Sequence, residues 1–444
     1  MRNRNTLLPS ALVQRQSLTL RPDPKRVVMR HFKPNTEPRD LTPTDTKRVA
    51  HIIDRVLALD ADAANRELEE VLENFGGRHR RLLASFEARA DAMEVVHSVR
   101  FPLTQVQRLL IGGCFLHEYS FEAVALFNPS VITHPDQSAV PQGARRIILS
   151  LRAVGEGHVS SLTFRSGMLA ADGTVTVDPT AALASIPHTQ RTVPGSSRDC
   201  IEVVFEDDGD ISERVIFPVT EAQSNGIEDA RFVEFDDEHG KTYYATYTAY
   251  NGRAIRSELL ETKDFERFTM TPLTGTAARN KGMALFPRPI NGHYAMIGRQ
   301  DNENLHLIYS DDLYSWEEGI VLLEPRFPWE FIQIGSCGSP IELEEGWLLL
   351  THGVGPMRRY CVGAALLDKA DPAKVLARLP EPLLRPERLA REGYVPNVVY
   401  TCGGMRQADR IVLPYAICDT FSNFATIEIA ALIGAMVPCA GPSS

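Results

Sequence analysis

From about residue 120 onward the chain consists of short runs of β-branched, aliphatic and aromatic residues separated by turn dipeptides, with almost nothing of helix length between them. Lys241–Tyr250 (KTYYATYTAY), His293–Gly298 (HYAMIG), Leu305–Tyr309 (LHLIY) and Trp347–Gly353 (WLLLTHG) are such runs. The punctuation is Asp172-Gly173, Asp208-Gly209, Asn251-Gly252, Asn291-Gly292, Glu345-Gly346 and Gly403-Gly404, pairs that supply the backbone geometry of tight turns. So many short strands are too many for one simple sandwich. Radially repeated four-stranded blades accommodate them, at roughly 40–60 residues a blade and about five to seven blades. Periodicity alone leaves a large β-sandwich or a β-helix open.

The stretch before residue 106 has a different character. Residues 1–40 are rich in Arg and Pro and hold one strand-like run, Arg26–Met29, which reads as an extended arm. From Thr44, a potential cap, Val49, Ile52, Ile53, Val56 and Leu57 recur at helical spacing. Leu68, Val71, Leu72 and Phe75 repeat the pattern until Gly76-Gly77 stops it, and a third helix is expected from His79 towards Val95. The expected organisation is an arm over 1–40, a helical extension over 41–105 and a β domain over 106–440.

Composition narrows the function classes. Of 444 residues, 43% are apolar and 23% charged, which suits an ordinary globular chain with a sizeable core. A net charge of −10 argues against a nucleic-acid partner, since phosphate backbones require a dominant basic surface. It leaves room for one small anion in a locally basic cleft. The seven cysteines are scattered without a CxxC pair, which reads as reduced thiols rather than a disulfide framework or zinc site. The N-terminal residues lack a continuous apolar stretch of signal-peptide length, and runs such as Ile429–Val437 fall far short of the ~20 residues of a membrane span. These features together point to a cytoplasmic protein with neither a membrane nor a metal partner.

Five short constellations could carry chemistry, all at strand ends. Asn225-Gly226-Ile227-Glu228-Asp229-Ala230-Arg231 sets two carboxylates and an Arg on a Gly-containing turn. In a regular strand Glu228 and Asp229 face opposite sides, so only one is expected to point into a cleft. Arg279-Asn280-Lys281-Gly282 flanks an amide with two cations, a fork and a point charge suited to phosphate. Arg299 follows Gly298, His352 closes the run Trp347–Leu350, and Asp419 ends the run Tyr415–Cys418. Each has a bland reading: a solvated turn, a hairpin tip or a satisfied core histidine. In a radial fold, however, distant strand ends converge on one pocket.

The order and spacing of these segments resemble the β-mannoside phosphorylases and mannosidases of glycoside hydrolase family 130. The resemblance rests on GIEDAR (226–231) with YYATYTAYNG (243–252), RNKGMALFP (279–287), IYSDDLYSW (308–316), IGSCGSPIELEEGWLLLTHGV (334–354), YVPNVVY (394–400) and YAICDT (415–420). It implies an all-β, five-bladed β-propeller, to which the helices would be an N-terminal extension outside the common core. It implies Asp229 as catalytic acid, in a pattern usually written with Pro where Ala230 stands. It implies a phosphate-binding trio of Arg279, Arg299 and His352, with Asn280 and Lys281 lining the same pocket. Asp419 would contact the sugar whose bond is cut, and Asn128, in Phe127-Asn128-Pro129-Ser130, would contact substrate. Family members often carry Asp where this chain has Gly282.

The chemistry of the residues fits that resemblance. An inverting glycosidase needs a second carboxylate to activate water. A phosphorylase needs only the acid, because phosphate is already a charged nucleophile that cations must orient. The expectation is an inverting glycoside phosphorylase that cleaves β-1,2- or β-1,4-mannosides with inorganic phosphate as co-substrate, giving α-mannose 1-phosphate without another cofactor. Burial should raise the pKa of Asp229 so that it can donate a proton. A hydrolytic β-mannosidase and a non-catalytic glycan-binding propeller are the alternatives. The helices carry no chemistry and suit packing or a contact between identical subunits.

Overall fold

The computed structural model describes residues 9–32, 43–97, 103–187, 189–192, 198–205, 208–238, 240–387 and 393–439. It is mostly β with few helices. Two compact units divide the chain: Met1–Asp23, Glu122–Thr180 and Pro187–Ser444 make one, and Pro24–Phe121 with Ala181–Ile186 make the other. No described helix is long and apolar enough to cross a membrane. No two of the seven cysteines are disulfide-bonded.

The smaller unit holds helices α1 (Pro43–Leu57), α2 (Ala61–Phe75), α3 (Leu82–His97) and α4 (Gln105–Cys114), and a strand pair, Val27–His31 with Leu116–Ser120. Asp60 caps α2 by accepting from the backbone N–H of Ala63 at 2.7 Å, and the helix ends at Gly76. Thr104 and Gln107 form a capping box at the start of α4. Ile53, Leu68, Leu82, Phe86, Leu110 and Phe115 make its core. Three helices were expected and a fourth, α4, is present. Its Gly112-Gly113 pair resembles a stop signal, yet a Cβ at Gly112 would lie 1.9 Å from the Phe86 carbonyl oxygen. Glycine there permits a close helix crossing rather than ending the helix.

The larger unit is built from mainly antiparallel sheets. One runs from Ala284–Leu285 through Tyr294–Gly298 and Leu305–Ser310 to Ile320–Leu323. The next is centred on Trp347–Gly355, which pairs with Gln333–Ser336 on one side and Arg359–Leu367 on the other. An eleven-stranded sheet includes Ala125–Thr133, Arg145–Val154, Gly226–Asp237 and Gly240–Tyr250. The last contains Val399–Tyr400, Arg410–Ile417 and Phe421–Glu428 and is completed by Gln14–Leu20, which pairs with Phe421–Glu428. The segment read as an arm therefore carries two strands, Gln14–Leu20 and Val27–His31.

All nine residues of Trp347–Gly355 are buried, which explains why that segment reads as a continuous apolar run rather than an alternating one. Burying one side chain such as Leu348 stabilises by about 1.5–3 kcal/mol. Phe164, Phe232, Phe265 and Phe268 form an aromatic cluster with ring centroids 5.6–6.0 Å apart. Such packing fixes the strand ends that shape the cavity below.

Candidate active site

Two strands of the larger unit break register, and a third ends in a tight turn, where a polar side chain is needed. The pairing of Gly226–Asp237 with Gly240–Tyr250 shifts between Glu228 and Arg231, and Asp229 takes a left-handed φ of 55°. Ala125–Thr133 shifts between Phe127 and Ser130, and Asn128 has φ 49°. The turn after Arg410–Ile417 puts Cys418 and Asp419 at φ 51° and 50°. Neighbouring bonds hold each distortion. The Cys402 N–H donates to the Pro129 carbonyl at 2.8 Å, the Phe232 N–H to the Ser130 hydroxyl at 3.2 Å, and the Cys418 N–H to the Val398 carbonyl at 2.9 Å. Non-glycine residues in this conformation are strained and concentrate at functional sites. Gly226 has its own constraint: at φ 145°, a Cβ would lie 2.2 Å from the Ser160 hydroxyl oxygen.

The distortions aim these side chains into one cavity of about 230 Å³. Glu228 and Asp229 both line it, contrary to the expectation that only one would. The bulge between Glu228 and Arg231 removes the strict alternation on which that expectation rested. Arg152 bridges the two carboxylates, donating to Asp229 at 3.2 Å and to Glu228 at 2.8 Å, with its guanidinium 5.1 Å from the centroid of Phe127. Asn128 donates to Asp229 at 2.6 Å, and Lys281 lies 3.7 Å from Glu228.

Arg231, Arg299 and His352 line the same cavity. Arg231 donates to the Asp229 carbonyl at 2.9 Å and to the Tyr400 hydroxyl at 2.7 Å. Arg299 is 6% exposed and, among the described residues, its guanidinium has no hydrogen bond or ion pair; its buried Nε is unsatisfied. His352 stands across the strand pair from Gly335, with its ring 5.9 Å from Tyr360 and 4.9 Å from Tyr400. A Cβ at Gly335 would meet that imidazole at 2.2 Å, so glycine makes room for it.

The structure thus brings together Asn128, Asp229, Lys281, Arg299, His352 and Asp419, but neither Arg279 nor Asn280 lines the cavity. Arg279 ends the 3-10 turn Ala277–Arg279 and is exposed, while Ala277 and Ala278 are buried. Three residues per turn point to three sides; the two alanines take the packed ones and leave Arg279 the outward one. Asn280 instead shapes the turn, its side chain accepting from the Lys281 N–H at 2.8 Å and its carbonyl from the Ser257 hydroxyl at 2.7 Å. Arg231, outside the expected set of cations, lines the cavity instead. Arg152 was also missed, although an arginine inside the apolar run Arg145–Val154 (RRIILSLRAV) was a visible signal.

The protonation pattern departs from expectation in the same region. Burial pushes the Asp229 carboxyl up, but Arg152, Lys281 and Arg231, with the Asn128 amide, outweigh it and hold the group at about 2. Burial and then the charge of Asp229 raise Asp419 from 3.8 to about 7, against Arg152, Arg358 and Lys281. Asp229 is therefore a carboxylate at neutral pH, and Asp419 is the carboxyl that titrates near neutrality. Burial, with Arg299 and Arg231 close by, pushes His352 well below 6.5, so it is neutral rather than a third cation. Burial also lowers Arg299, and Arg231 adds to that. Two buried guanidiniums near each other with too few anions form an anion site, and a weakly acidic carboxyl stands in the same cavity.

The profile of one protein family, described as beta-1,4-mannooligosaccharide phosphorylase, matches residues 208–437. A 1,2-beta-oligomannan phosphorylase from Thermoanaerobacter sp. (strain X514) is 37% identical over 218 residues, 47% of this chain and 71% of that protein. A beta-1,2-mannobiose phosphorylase from Listeria innocua serovar 6a is 34% identical over 226 residues, 49% of this chain and 62% of that protein. The solved structure of a Listeria innocua beta-1,2-mannobiose phosphorylase in complex with beta-1,2-mannobiose aligns with a TM-score of 0.51 at 23% identity, covering 70% of this chain and 92% of that one. That likeness supports a common fold.

Proposed function

The chain belongs to glycoside hydrolase family 130, and from that premise we infer that it is a mannoside phosphorylase. Its substrates are a β-1,2- or β-1,4-linked mannoside and inorganic phosphate, its product is α-mannose 1-phosphate, and it needs no other cofactor. The observation that carries this reading is Arg299: a buried guanidinium without a partner among the described residues, its pKa lowered by burial and further by the nearby Arg231. A buried cation left unpaired is destabilising unless an anion completes it. Phosphate does so, with Arg231 beside it and the neutral imidazole of His352 as a hydrogen-bonding group.

Phosphate also explains how Asp229 can act as the acid. Its dianion offsets the guanidinium field that holds Asp229 down, and burial, the largest effect on that carboxyl, then favours the protonated form. Asp229 donates its proton towards the glycosidic oxygen, directly or through a sugar hydroxyl. Phosphate attacks the anomeric carbon from the opposite face, the carbon–oxygen bond to the leaving sugar breaks, and the configuration inverts. Asp419 and Asn128 hold the sugar ring. Arg152 positions Asp229 and Glu228 through its two hydrogen bonds.

The larger unit is read as a five-bladed β-propeller. Two successive four-strand meanders support this, Ala284–Leu285 to Ile320–Leu323 and Gln333–Ser336 to Val375–Arg378, each contributing a residue, Arg299 or His352, to one cavity. The smaller unit is read as an extension with a packing or subunit-contact role in a cytoplasmic enzyme.

Incubation of the pure protein with β-1,2- and β-1,4-mannobiose, with and without phosphate, tests the reading. Mannose 1-phosphate should form only when phosphate is present. Equal release of free mannose in both conditions identifies a hydrolase instead, and no turnover with defined mannosides leaves a binding protein.

A further inference from the structure

Trp347–Gly355 and Arg359–Leu367 form a hairpin closed by the pair Gly355–Arg359 and a turn of three residues, Pro356–Arg358. Met357 and Arg358 are both left-handed, with φ of 60° and 53°, in a turn where Gly or Asn is the usual solution. Met357 is 87% exposed, so no packing of its side chain explains the choice. The backbone of this turn nevertheless directs Arg358 to the wall of the cavity that holds Asp229 and Arg299.

Arg358 differs from most other cations there. Arg152 is engaged by Glu228 and Asp229, Arg231 by Tyr400 and the Asp229 carbonyl, and Lys281 by Glu228. Among the described residues Arg358 has no ion pair and no hydrogen bond. Its guanidinium stands 6.0 Å from the centroid of Tyr360, whose other neighbour is the His352 ring at 5.9 Å. An exposed cation, an aromatic ring and a buried imidazole thus lead from solvent towards Arg299. The charge of Arg358 also acts on the Asp419 carboxyl.

We propose that Arg358 is a phosphate-capture residue: it meets the anion at the mouth of the cavity and then closes on it opposite Arg299. The inference rests on the phosphorylase reading and extends it to a residue outside the expected set. The chemistry favours phosphate over sugar as the partner. A guanidinium fork matches two oxygens of an oxyanion, and a charge at a cleft mouth speeds anion arrival in a way that weakens with salt. A mannoside is neutral and gains nothing from such steering.

The test is initial-rate kinetics on the full chain, wild type against Arg358→Gln and Arg358→Lys, with phosphate and mannobiose varied separately at low and high salt. Thermal melts check that the variants are folded. For Arg358→Gln the KM for phosphate should rise roughly tenfold and its salt dependence should flatten, with the KM for mannobiose unchanged. Arg358→Lys, which keeps the charge but loses the fork, should recover part of the loss. An unchanged KM for phosphate overturns the proposal, and so does a rise in the KM for mannobiose instead. If the wild type turns over equally well without phosphate, the phosphorylase reading falls and takes this one with it. Failure of the variants alone leaves that reading standing.

Discussion

At the scale of single residues, Arg299 and Asp419 carry opposite liabilities. Arg299 is buried and unpaired, so Arg299→Met should raise the melting temperature without phosphate, by an amount corresponding to about 1 kcal/mol or more. The same variant should lose phosphate-dependent turnover and the stabilisation that phosphate gives the wild type. Calorimetry with and without phosphate reads both effects; a variant that melts lower and still responds to phosphate removes Arg299 from the anion site. Asp419 titrates near 7 in the folded protein against 3.8 ordinarily. A carboxyl raised by folding contributes its full stability below about 3.8, loses it as pH rises, and has lost it above about 7. The melting temperature of Asp419→Asn relative to wild type should therefore climb between pH 4 and pH 8, by a few degrees overall. A constant difference across that range shows that Asp419 is not the proton carrier.

At the scale of elements, strand ends and their irregularities make the site. Gly335 and His352 face each other across one ladder with no space for a methyl group between them. Gly335→Ala should displace the imidazole and destabilise the protein by roughly 1–3 kcal/mol, the range for overpacking a filled interior. Its KM for phosphate should rise while the KM for mannobiose moves less, a split that steady-state kinetics measures directly. Much of this architecture was legible beforehand. Lys241–Tyr250, Leu305–Tyr309 and Trp347–Gly353 read as strands because β-rich runs end at turn residues, and the structure has strands there. The bulges were not legible. Alternation places Glu228 and Asp229 on opposite faces, and only an irregular ladder, fixed by contacts more than 100 residues away such as Asn128 with Asp229, turns both inward. For the same reason the direction of Arg279 was not legible either. Spacing shows that a cation is present, while the packing of Ala277 and Ala278 decides which way it points.

At the scale of the whole molecule, a chain with net charge −10 builds a cavity where five Lys and Arg side chains meet three carboxyls, one of them protonated near neutral pH. The proposed anion site is a local reversal of the global sign, so raised ionic strength should weaken phosphate capture more than sugar binding. Removal of residues 1–21 should lower the melting temperature and promote aggregation, because it strips Gln14–Leu20 from Phe421–Glu428 and uncovers a sheet edge. Light scattering during a thermal ramp checks this, and an unchanged profile shows that the pairing is dispensable. That same pairing sets a timetable for synthesis. A ribosome adds about 400 residues after Gln14–Leu20 before its partner, Phe421–Glu428, is made. The last sheet therefore assembles after translation of its final strand, and Gln14–Leu20 must wait unpaired, in reach of chaperones, until then.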